Sequence, residues 1–245
     1  MVDQSRAGLS SPATFLDLAR PIQAIYAASP AAQALGLSEE KLTERCSVCD
    51  GRGQLTLDMI FLPDVHVTCE TCRGSGYTAE AWEVRLNGLA LPEVFSRTID
   101  EVQRMFGGDP RLKRPLQAAQ EVGLGYLVLR QPGYALSGGE AQRLKIASEL
   151  CRKSAAGSLS ILDEPSIGQH LEDVQRLSGV LHRLVDEGSS VLIVEHHTHL
   201  LAACDWLLEL GPGGGPGGGR VIAAGTPEQV AAGNTPTAPY LKGLL

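Results

Sequence analysis

The chain has 245 residues, of which 43% are apolar and 4% aromatic, with 28 glycines and 14 prolines. That is enough to bury a core in one large or two modest domains, and the composition suits a loop-rich α/β protein better than an all-β one. The formal charge of −7 argues against whole-surface steering toward nucleic acid, and no apolar run approaches the roughly 18 residues of a membrane span.

The first residues, MVDQSRAGLSSPATF, lack a basic-then-apolar leader pattern, so a cytoplasmic location with no membrane partner is expected. Over 13–35, Phe15, Leu18, Ile22, Ile25 and Tyr26 recur at helical spacing, and Pro21 is expected to interrupt the helix. Segment 1–45 is thus a helical lead segment, and 46–77 is a Cys- and Gly-rich module.

Within that module CSVCDGRG and CETCRGSG repeat the pattern CxxCxGxG. Cys46, Cys49, Cys69 and Cys72 can offer four thiolates to one Zn²⁺, two from each hairpin. Gly51, Gly53, Gly74 and Gly76 permit turns that bring backbone N–H groups toward sulfur. Disulfides or redox CxxC pairs are the alternative, and a cytoplasmic setting disfavours them. His66 lies between the hairpins as a further candidate ligand, while Cys151 and Cys204 read as core residues.

Segment 78–157 reads as helical. TIDEVQRMF opens on Thr98 with Glu101 three residues on, which predicts a capping box, and Ile99, Val102 and Phe106 form the apolar face. The basic run Arg111, Lys113 and Arg114 reads as solvated surface. LSGGEAQR admits two readings. Ser137 and Glu140 form a capping box at a helix start; alternatively the Ser137 hydroxyl and the N–H groups of Gly138 and Gly139 make a phosphate site at a helix N-terminus, with Gln142 and Arg143 following.

Segment 158–245 has an α/β rhythm. LSILDE is a strand ending in Asp163 and Glu164. A helix follows, with Leu171, Val174, Leu177, Leu181, Leu184 and Val185 on one side and Gly188 at its end. SVLIVEHH is a second strand, then come the helix THLLAACD and the strand WLLEL. The apolar strands predict a parallel sheet covered on both faces. GPGGGPGGG reads as a flexible loop, and the strand RVIAAG and a helix capped by Thr226 close the chain. Asp163 at a strand end can hold Mg²⁺ and Glu164 can polarise a water. The bland reading is an acid pair before a Pro turn. His196 could reach a terminal phosphate or serve structure alone.

The order of signature loop, carboxylate pair and strand-end His resembles the UvrA family of DNA-damage sensors, within the ABC ATPase superfamily. LSGGEAQR resembles its ABC signature and ILDEP its Walker B segment. FLPDVHVTCETCRG resembles its zinc module, and DWLLELGPGGGPGGGRVIAAGTPEQVA its C-terminal end. DQS…SPATF resembles its Q-loop region, which makes Gln4 the Q-loop glutamine.

The resemblance covers nearly the whole chain. It implies a partial ABC-type nucleotide-binding domain, a parallel sheet with flanking helices, carrying an inserted four-cysteine zinc module and a helical signature region. It also implies ATP, Mg²⁺ and Zn²⁺ as cofactors, damaged duplex DNA as substrate, and a second nucleotide-binding half and a UvrB-like protein as partners. Asp163, Glu164 and His196 would serve this domain's own nucleotide. Ser137, Gly138, Gly139, Glu140 and Gln142 would face that of the other half.

No GxxxxGK[ST] motif occurs in the 245 residues; Lys153 alone among the lysines precedes a Ser, and no Gly stands before it. In the family that loop lies upstream of the Q-loop. The chain alone is therefore expected to bind zinc but hydrolyse no ATP. Ser166, Ile167, Gly168 and Gln169 stand where the family has Thr-Thr-Gly-Leu. A non-catalytic zinc and DNA module, a drug-resistance paralogue and a remnant are the alternative readings.

Overall fold

The computed structural model describes residues 10–57, 65–151 and 157–245. Gln4 and Lys153 lie outside them. The described residues form two compact units, one over 10–120 and 124–136, the other over 121–123 and 137–245.

The first unit opens with four short helices, α1 (Pro12–Phe15), α2 (Ala19–Ala27), α3 (Pro30–Ala34) and α4 (Glu39–Leu42). The break predicted at Pro21 falls earlier, at Asp17 with φ of 53°. Pro21 itself sits in the first turn of α2, where its missing N–H has no helical partner to lose. Next comes an antiparallel pair, β1 (Gln54–Leu57) with β2 (Val65–Thr68), then the two-residue strands β3 (Arg85–Leu86) and β4 (Leu89–Ala90). Helices α5 (Leu91–Phe95), α6 (Ile99–Phe106) and α7 (Pro110–Glu121) follow.

The predicted capping box of α6 forms: Glu101 N–H donates to Thr98 Oγ1 at 3.2 Å, and Thr98 N–H donates to Glu101 Oε2 at 2.8 Å. Leu18, Ile22, Leu42, Leu91, Ile99, Leu112, Leu116, Leu127 and Leu129 supply the core. Each such side chain contributes about 1.5–3 kcal/mol on burial.

The second unit contains α8 (Gly138–Cys151), β5 (Leu159–Asp163), α9 (Leu171–Asp186), β6 (Ser190–Val194), α10 (Thr198–Ala202), β7 (Leu207–Gly211), β8 (Arg220–Gly225), α11 (Pro227–Ala231) and α12 (Ala238–Leu241). β5 and β6 pair in parallel and register Asp163 with Val194. β7 and β8 pair antiparallel. α9 buries Val174, Leu177, Leu181 and Leu184 but leaves Leu171 and Val185 exposed.

The α/β reading with a parallel pair holds. Cover on both faces does not: Leu159, Leu192 and Val194 are 60%, 48% and 56% exposed. Among the described residues no layer lies over these side chains, although their apolar character suits one. No helix among the described residues is long and apolar enough to cross a membrane.

Candidate functional site

The four repeat cysteines come together. The Sγ atoms of Cys46, Cys49, Cys69 and Cys72 all lie within 4.8 Å of one another and are buried. Cys46–Cys69 and Cys49–Cys72 are 4.0 and 3.7 Å apart. A tetrahedral zinc with bonds near 2.3 Å sets thiolates about 3.8 Å apart, so the donor set fits zinc in number, softness and spacing.

The glycines do what their positions suggest. Gly53 N–H donates to Cys49 Sγ at 3.2 Å and Gly76 N–H to Cys72 Sγ at 3.3 Å. The two hairpins also bond to each other, Cys46 N–H to Gly76 O and Cys69 N–H to Gly53 O, both at 2.9 Å. Without a metal the thiols differ. Backbone N–H donation from Cys72 holds the Cys69 thiol down to about 7, while burial pushes the Cys49 thiol up to about 12. His66 takes no place among the sulfurs; its ring stacks on Tyr134 with centroids 4.8 Å apart.

Close approach makes Gly53 intolerant of a side chain. Its φ is +70°, and an added Cβ would collide with the carbonyl oxygen of Gly74. Gly53→Ala is expected to destabilise the module by about 2 kcal/mol, combining left-handed strain with displacement of the facing segment of chain. Denaturant unfolding of the zinc-loaded protein checks this; an unchanged midpoint would show that the two hairpins are not in contact as described.

In the other unit, the sequence-predicted acids sit at the carboxyl ends of the parallel pair, where open α/β sheets bind ligands. Asp163 ends β5 and is exposed. Glu164 adopts φ of +44°, an unusual backbone for a non-glycine residue, and its N–H donates to Val194 O at 2.8 Å. His196 Nδ1 lies 3.7 Å from Glu164 Oε1 and its side chain is 72% exposed. Asp163, Glu164 and His196 therefore share one open strand-end surface.

The residues of LSGGEAQR are placed differently from one another. Ser137 and Glu140 form the capping box, with Ser137 N–H to Glu140 Oε2 at 2.7 Å and Glu140 N–H to Ser137 Oγ at 3.2 Å. Gly138 and Gly139 occupy the first turn of α8. Gln142 is fully buried. Its Nε2 donates to Asp163 O at 2.5 Å, because its place in α8 puts it on the inward side with Ala141 and Ile146.

Sequence reasoning missed Glu195. Its side chain is 1% exposed, and one oxygen accepts from Ser166 N–H at 2.9 Å and from the Ser166 hydroxyl. The other accepts from the N–H groups of His196 and His197, at 2.6 and 2.8 Å. Burial pushes its carboxyl up, but the Ser166 hydroxyl and the three N–H groups outweigh that and hold it below the usual carboxylate range. The available signal was VEHH itself, an acid at a strand end like that in LDEP.

The comparisons with known proteins place the chain among its relatives. No family model matches the chain. UvrABC system protein A of Thermus thermophilus is 42% identical over 98% of this chain. Its counterpart in Lactiplantibacillus plantarum is 44% identical over all of it. The crystal structure of UvrA2 from Deinococcus radiodurans matches 100% of the chain at 42% identity with a TM-score of 0.91.

This chain is a homologue of part of UvrA. It spans about a quarter of those curated UvrA relatives, 26% and 27% of their lengths, and 31% of the UvrA2 chain. The α/β class accords with the UvrA2 match.

Proposed function

We propose that the chain acts as a UvrA-type nucleotide-binding segment in DNA damage recognition for nucleotide excision repair. The observation that supports this is 42% identity with UvrA2 along the entire chain together with a TM-score of 0.91. In this reading Cys46, Cys49, Cys69 and Cys72 hold one structural Zn²⁺. Asp163 orients a magnesium-bound ATP, and Glu164 and His196 address its terminal phosphate. Ser137 to Glu140 present a capped helix start to the nucleotide of a second half, and Gln142 props the Asp163 strand end. The zinc module at 46–77, the helical region at 78–157 and the α/β core at 158–245 are the working parts.

Magnesium supplies charge neutralisation at the phosphates when bound. This chain's own residues would position a water and accept its proton at the Glu164 carboxylate. A phosphate-cradling GxxxxGK[ST] loop is not among the 245 residues, so ATP turnover requires one supplied from elsewhere, and the chain alone hydrolyses none.

The test is affinity for a duplex carrying one bulky adduct against the same duplex without it, measured by fluorescence anisotropy over a range of salt. We expect several-fold preference for the adduct, weakening as salt rises and lost on zinc chelation. Equal affinity for the two duplexes would sink the repair reading.

A further inference from the structure

A cavity of about 710 Å³ lies wholly within the unit that holds the cysteines. Arg45, Arg52, Arg73 and Arg130 line it, and Asp50 is the one acid in its wall. In a chain of net charge −7, none of these four guanidinium groups pairs with a carboxylate among the described residues. Arg130 reaches across to the zinc module and donates to Gly74 O at 3.1 Å.

The same wall carries the His66–Tyr134 stack, with rings inclined by 18°. Both rings are anchored. Tyr134 donates its hydroxyl to Gln54 Oε1 at 2.5 Å, and Thr56 Oγ1 lies 3.2 Å from His66 Nδ1. Tyr134 remains 37% exposed, so the platform is fixed yet reachable.

Unpaired guanidinium groups beside a fixed aromatic face suit a ligand with an anionic phosphate and a flat ring. The volume falls in the range of small-ligand pockets. In an intact duplex both faces of each base are covered, so only an unstacked nucleotide can use the platform.

We propose that this cavity binds a nucleotide of single-stranded DNA, its base stacked on His66–Tyr134 and its flanking phosphates held by Arg52 and Arg73. The proposal deepens the DNA-damage reading above and rests on it: a sensor of damage gains from a pocket that only a displaced nucleotide can enter.

The probe is a fluorescent oligothymidylate titrated into the full chain at several salt concentrations. Tyr134→Ala is expected to weaken binding about tenfold or more, as loss of one stacked base does, while Tyr134→Phe, which keeps the ring and loses only its tie to Gln54, weakens it far less. The double variant Arg52→Ala/Arg73→Ala should flatten the log-affinity against log-salt slope by about 1.4, two single-strand phosphate contacts.

All three variants change exposed side chains, and zinc content reports that the module has folded. No binding by wild type, or Tyr134→Ala binding as tightly as wild type, overturns the proposal. Loss of adduct discrimination with these effects intact would sink the repair reading and leave the pocket standing.

Discussion

Cys49→Ser is expected to take the protein from one equivalent of bound zinc to none and to unfold the segment between Cys46 and Tyr77. The four thiols are buried within one small cluster. Among the described residues, the partly buried hydrophobic packed against it is Leu55. Structural zinc binding is worth about 10–16 kcal/mol in small modules, far more than a typical net hydrogen bond of about 1 kcal/mol. Serine keeps the size but not the soft thiolate donor, and three thiolates leave the tetrahedron open. Metal analysis and hydrogen exchange of the purified variant check this. A variant that retains a full equivalent of tightly held zinc would show that the cluster is not the site. Chelation of the wild-type protein should reproduce the same loss of protection.

Glu195→Ala is expected to destabilise the strand-end unit by about 3 kcal/mol, the cost of stranding N–H donors that have lost a buried charged acceptor. Three backbone N–H groups and the Ser166 hydroxyl converge on its carboxylate. They tie the segment after Glu164 to the segment bearing His196. Because the folded carboxyl is held below its usual range, its contribution is fully present above the unfolded value of about 4.3. That contribution is lost as pH falls through the lower folded value. The difference between wild type and Glu195→Ala, measured by chemical denaturation, should therefore be largest near neutrality and shrink below about pH 4. A difference that stays constant down to pH 3 would show that the carboxylate charge is not what holds these segments together.

Much of this architecture was readable from residue order. CxxCxGxG states its own geometry, since two thiols three positions apart and glycines that permit positive φ leave few ways to fold. Thr98 with Glu101, Ser137 with Glu140, and Thr226 announce helix starts, and all three caps form. What residue order could not show depends on side chains meeting across long separations. Gln142 and Asp163 stand 21 residues apart, and Ser166 and Glu195 29 apart. A local pattern cannot say that an amide in α8 turns inward, or that an acid in VEHH is a clasp for a distant serine. Strand apolarity overstates burial for a related reason. Leu159, Leu192 and Val194 suit burial, but whether anything covers them is decided by other parts of the structure.

The two cysteine hairpins carry a symmetry that reaches beyond metal binding. An added Cβ at Gly53 meets Gly74, and one at Gly76 meets Gly51, positions that exchange when one repeat is laid on the other. Cys46 and Cys69 exchange their bonds with Gly76 and Gly53 in the same way. The module is thus built like a homodimer whose two protomers share one chain, with an isologous interface and two thiols contributed by each half. Every interface substitution then has a twin: Gly76→Ala should reproduce the loss seen for Gly53→Ala. Adding the second change should do less harm than the first, because both act on one shared interface.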